Sequence, residues 1–91
     1  MDKLEAAVNR GEEANRILHS PVFEAAFADT RQAILEALAG LDNVRGEQAQ
    51  DLHRMVKLLD KVKRCVEEHV ATGKLAQREI EGRARLFAFR K

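Results

Sequence analysis

The side chains best equipped for chemistry are three histidines and one cysteine: His19, His53, His69 and Cys65. Cys65 and His69 are four residues apart, so on a helix both face one direction. Two ligands fall short of a metal site, which needs three or four, and no second pair is spaced to complete one. Cys65 lies beside an apolar stripe and reads as a small buried hydrophobe. One cysteine also excludes an intrachain disulfide. The adjacent carboxylates Glu12-Glu13 and Glu67-Glu68 diverge by about 100° on a helix and do not converge as an acid/base pair. Thr72-Gly73-Lys74 lacks the preceding glycine and the strand-to-helix setting of a phosphate loop. There is no nucleophile elbow. The expectation is a protein that is not an enzyme and uses no metal or cofactor.

Charge offers a second kind of chemistry. Residues 1–50 hold nine acidic and five basic residues, and residues 51–91 hold six acidic and eleven basic ones. Clustered Lys and Arg are the electrostatic footprint of phosphate binding. Acidic residues are interleaved, however, and the pI is about 8.0. No recognition-helix motif is evident. The same asymmetry suits head-to-tail self-association or an acidic partner of the C-terminal half.

The chain ends Arg83-Ala84-Arg85-Leu86-Phe87-Ala88-Phe89-Arg90-Lys91, alternating basic and apolar residues. In an extended tail Phe87 and Phe89 share a face. Arg83, Arg85, Leu86, Phe87, Phe89, Arg90 and Lys91 are then the candidate partner-binding residues, with apolar side chains filling pockets and cations meeting acidic groups. The alternative is that Leu86, Phe87 and Phe89 fold back onto the protein's own core.

Helices must position these groups. Asp2, followed by Glu5, opens a first helix whose stripe is Leu4, Ala7, Val8, Gly11, Ala14, Ile17 and Leu18. Gly11 weakens that helix by about 1 kcal/mol relative to Ala, or else lets another helix approach closely. Ser20 can cap a second helix and Pro21 suits its first position. That helix extends to Ala39, with Gly40 as its terminating residue. Asp42, Asn43 and Gly46 supply a turn. A third helix then runs from Gly46 or Glu47 to Ala71 or Thr72, stopped by Gly73. Residues 74–80 form either a short helix of their own or a continuation past the glycine.

Apolar residues recur at steps of three and four along the second and third helices. Phe23, Phe27, Ile34 and Leu38 form one stripe, and Leu52, Val56, Leu59, Val62 and Val66 form the other. These nine residues are the candidate seam of an antiparallel helical hairpin or of a self-association interface. The predicted fold is all-α: a hairpin of two long helices, an additional N-terminal helix and an extended basic/aromatic tail. One helical domain occupies residues 1–82 and the tail occupies 83–91. Whether the first helix packs on its own hairpin or on a neighbour's is open.

A chain of 91 residues with 4% aromatic content has a small core, and oligomerisation is a common remedy for that. No run approaches the roughly 18 apolar residues of a membrane span. The charged N-terminus is unlike a signal peptide. The expected setting is therefore a non-secreted homo-oligomer with no membrane association.

Three stretches together resemble a family of small helical proteins of tailed bacteriophages, encoded near virion-assembly genes. They are Ser20-Pro21-Val22-Phe23-Glu24-Ala25-Ala26-Phe27, the helix over 52–62 containing Met55, Lys57, Leu58 and Leu59, and Ala71-Thr72-Gly73-Lys74-Leu75-Ala76. The likeness spans about residues 20–80 and carries over no functional residue. It implies a virion or particle-assembly protein, in the virion or the host cytoplasm, that self-associates and binds a capsid or connector surface. The alternatives are a nucleic-acid-binding accessory protein of packaging or regulation, and a phage inhibitor of a host protein.

Overall fold

The computed structural model describes residues 2–89; Arg90, Lys91 and the side chain of Phe89 lie outside what is described. The described chain is all-α, with α1 over Lys3–Leu18, α2 over Pro21–Ala39 and α3 over Glu47–Phe89, and no strand.

The starts of α1 and α2 have local causes. The Asp2 carboxylate accepts the Leu4 N–H at 3.5 Å, and the Asp2 carbonyl accepts the Ala6 N–H at 2.9 Å. Ser20 is extended (φ −71°, ψ 123°), and its hydroxyl accepts the Phe23 N–H at 3.4 Å. Its side chain thus satisfies one of the donors a helix start leaves without a partner. Pro21 follows at the first helical position, where its missing N–H costs nothing. Gly40 closes α2, donating its N–H to the Glu36 carbonyl at 3.0 Å with a right-handed backbone (φ −82°). In the connection, the Asn43 side-chain oxygen accepts the Arg45 N–H at 3.1 Å.

The third helix corrects the sequence reading twice. α3 does not stop at Gly73; it passes through Gly73 and Gly82 and is helical to Phe89. Residues 83–89, read as part of an extended tail, therefore continue a 43-residue helix. Glycine costs a helix about 1 kcal/mol but does not break it, and Lys74–Arg78 and Arg83–Leu86 are mostly strong helix formers. Side-chain links one turn apart reinforce the stretch: Gln77 to Glu81 at 3.2 Å and Arg83 to Glu79 at 3.0 Å. Each such exposed pair adds a few tenths of a kcal/mol.

Packing falls into two compact units, one joining α1 to α3 from Cys65 onward and the other comprising His19–Arg64. In the first, Gly11, Ala14, Gly73 and Ala76 are buried. In the second, Ile34 and Ala49 are buried. Among the described residues no large side chain is fully buried. The interior is thus made largely of alanine and glycine, and each such residue removes little apolar area from water.

Candidate functional site

Among the described residues no three His, Cys, Asp or Glu side chains come together as a metal site. His53 and His69 are exposed, and so is Cys65, which corrects the expectation of burial: next to half-buried Val66 in sequence, it is turned about 100° from it on the helix. The features with specific geometry are helix contacts and exposed faces.

In the α1-containing unit, Gly11 and Gly73 meet backbone to backbone. A Cβ on Gly11 would lie 2.9 Å from the Gly73 Cα and 2.9 Å from the His69 carbonyl oxygen. A Cβ on Gly73 would lie 2.9 Å from the Gly11 Cα and 3.1 Å from the Ala7 carbonyl oxygen. Neither position has room for a side chain. The residue read as a stop for α3 is instead where α1 crosses it. An open groove of about 220 Å³ borders the crossing, lined by Val8, Glu12, Asn15, Val70, Lys74 and Gln77 as well as the two glycines.

In the other unit, a bidentate ion pair joins α2 to α3: Arg31 donates Nε to Asp60 at 3.2 Å and Nη2 at 3.5 Å. One turn away, the Lys63 ammonium lies 4.9 Å from the centre of the Phe27 ring. Phe27 is itself 6.1 Å, centre to centre, from Phe23. Cation and ring attract through the ring quadrupole, by about 0.5–1 kcal/mol at exposed sites.

Of the nine seam residues, Ile34 is buried and Phe23, Phe27, Leu38, Leu52, Val56, Leu59 and Val66 are half-buried. Val62 is 57% exposed, and Val66 belongs to the unit that contains α1. Met55 and Leu58 are exposed as well, at 48% and 63%. With Val62 they form a second apolar stripe on α3, next to the one that faces α2. The sequence reading places Val62 among the seam residues and gives Met55 and Leu58 no place there. Their spacing of three and four residues, parallel to Val56, Leu59 and Lys63, was the available signal.

The C-terminal group is rearranged by the helix. Leu86 is 61% and Phe87 78% exposed, so neither folds back onto the core. Arg83 is tied to Glu79, and Arg85 is exposed. Phe87 stands on a helix of 3.6 residues per turn, so the two-residue repeat that defines a face of an extended tail does not apply to it. The expectations for Arg90, Lys91 and the Phe89 side chain lie outside the described residues.

Among the described residues no helix is long and apolar enough to cross a membrane. The architecture defines an all-helical chain with small-residue contacts and exposed apolar faces. Comparison with protein-family models, curated proteins and solved structures yields no match.

Proposed function

We propose that this chain is a non-enzymatic assembly protein, a virion or particle-assembly component of a tailed bacteriophage. It self-associates and binds a capsid or connector surface, in the virion or the host cytoplasm. The observation that carries the reading is the imbalance of burial. Among the described residues four apolar ones are buried, three of them alanines, while nine large apolar side chains from Ile17 to Phe87 are exposed. Exposed apolar surface of this kind marks protein interaction sites. The phage assignment rests on the resemblance of residues 20–80.

Within this reading α2 and α3 pair as an antiparallel hairpin. The contacts that support it are Arg31 with Asp60 and Phe27 with Lys63: four residues back along α2 goes with three forward along α3. The exposed stretch of α3 with Arg85, Leu86 and Phe87 is the docking element for the capsid or connector surface, offered as a helix. Apolar anchors on a helix fit a groove in a partner, and flanking cations meet acidic groups. The test is mass spectrometry of purified particles, paired with light scattering on the isolated chain. Presence in the particle at fixed copy number supports the reading. A monomer that never enters particles refutes it.

A nucleic-acid-binding role is favoured by one observation: Lys57, Lys61, Lys63 and Arg64 are exposed within two turns of α3. Its signature is DNA retention that falls steeply with salt, because bound phosphates release counterions. Salt-insensitive or absent retention argues against it.

A further inference from the structure

The unit His19–Arg64 leaves two stripes uncovered. On α3 they are Met55, Leu58 and Val62, all exposed. On α2 they are Ala26, Ala33 and Ala37, also exposed, with Val22 at 78% exposure on the same line. α2 meets α3 through Phe27 and Arg31, with buried Ile34 on the same line, and α3 meets α2 through Asp60 and Lys63, with half-buried Val56 on the same line. Each uncovered stripe is rotated about 100° from its own contact line, in the same sense of residue numbering. In an antiparallel pair such rotations bring both stripes to one side. The hairpin therefore has one apolar face, small on α2 and large on α3.

Charge says what covers that face. α2 carries Glu24, Asp29 and Glu36 against Arg31 alone, a net of −2. Residues 47–64 of α3 carry Arg54, Lys57, Lys61, Lys63 and Arg64 against Glu47, Asp51 and Asp60, a net of +2. A partner that sets a basic helix over α2 and an acidic, alanine-lined helix over α3 is matched on both sides. A second copy of this chain is such a partner.

We infer that two copies close on this face as a four-helix bundle, about a twofold axis parallel to the helices, each α2 lying against the partner's α3. The inference rests on the self-association proposed above and names its surface. A twofold parallel to the helices keeps every residue at its own height. The Arg31–Asp60 and Phe27–Lys63 contacts fix those heights. Ala33 then meets the partner's Leu58, Ala37 meets the partner's Met55, and the partner's Val62 enters the gap between Ala26 and Ala33. Large side chains fall opposite small ones, as close bundle packing requires. On the outer edge, Asp29 comes level with the partner's Lys61, and Glu36 with the partner's Arg54.

The test is sedimentation equilibrium on the full chain, with circular dichroism to verify helicity. The wild type is expected to be a dimer, at twice 10.3 kDa. Leu58→Asp should weaken the dimer roughly tenfold or more, because it places a charge in a dry contact. Ala33→Glu, on the opposing helix, should do the same and covers the case in which one variant fails to fold. Asp29→Lys with Glu36→Lys should weaken it about tenfold, and adding Arg54→Glu with Lys61→Glu should restore most of the loss. A monomeric wild type overturns both this interface and the self-association reading. A wild-type oligomer indifferent to Leu58→Asp and Ala33→Glu overturns this interface alone. Disruption without charge-swap rescue overturns the pairing of α2 with the partner's α3, and a wild-type species larger than a dimer overturns the twofold.

Discussion

Gly11 and Gly73 touch through their backbones, with a Cβ on either falling 2.9 Å from the other's Cα. Two consequences oppose each other when one is replaced by alanine. The helix gains about 1 kcal/mol of propensity. The crossing must open against backbone atoms, which have no rotamer to move away with. Overpacking of a tight contact costs about 1–3 kcal/mol. The steric effect is expected to win at both positions. Gly73→Ala should lower the midpoint of thermal unfolding, and Gly73→Val should lower it further. A rise in midpoint for Gly73→Ala would show that α1 gives way easily.

Gly82 supplies the matched control. It lies in the same helix, but nothing stands within 4 Å of its would-be Cβ. Only the propensity effect remains, so Gly82→Ala should stabilise the chain by about 0.5–1 kcal/mol. Opposite signs at Gly73 and Gly82, read in one denaturation series, separate a glycine needed for contact from one that is not.

These two glycines also show where the sequence was legible and where it was not. The start of α2 was legible because Ser20 and Pro21 act within one turn of themselves, and the Ser20 cap follows from residue type alone. The end of α3 was not, because a glycine that stops a helix and a glycine that lets another helix approach look alike locally. What decides at Gly73 is Gly11, far away in the chain. Gly11 carried the hint of a close approach without naming its partner. The tail misled for a related reason. Its alternation of basic and apolar residues imitates a strand, while Ala84, Arg85 and Leu86 are good helix formers that extend an existing helix without a new nucleus. Arg31 and Asp60, 29 residues apart, offered no sequence signal for their pairing.

That ion pair should be measurable but small. Its side chains are 41% and 37% exposed, so water and salt screen it. A double-mutant cycle over Arg31→Ala and Asp60→Ala is expected to give about 0.5–1 kcal/mol of coupling, supported by the two-bond geometry. The coupling should shrink as salt is raised. Coupling that is zero at low salt would mean the pair does not hold α2 to α3.

The Ser20 hydroxyl occupies one backbone donor at the start of α2, at 3.4 Å from the Phe23 nitrogen. Ser20→Ala removes that acceptor and should cost about 1 kcal/mol, whereas Ser20→Asp should retain most of the stability. Urea unfolding distinguishes them: the midpoint should fall for alanine and stay close to wild type for aspartate, with the slope unchanged.

Removing the chain after Gly82 tests the end of α3 separately. Leu86 and Phe87 are exposed, and the Arg83–Glu79 bridge is a surface pair, so little folding energy is attached to this segment. The truncated chain should keep its unfolding midpoint within a few degrees, while its helical signal falls in proportion to the residues lost. The doubly substituted full-length chain, Leu86→Ala with Phe87→Ala, should be as stable as wild type and fail to enter particles. A large loss of stability in either variant would place these side chains in the fold, and normal incorporation of the double variant would remove them from the docking surface.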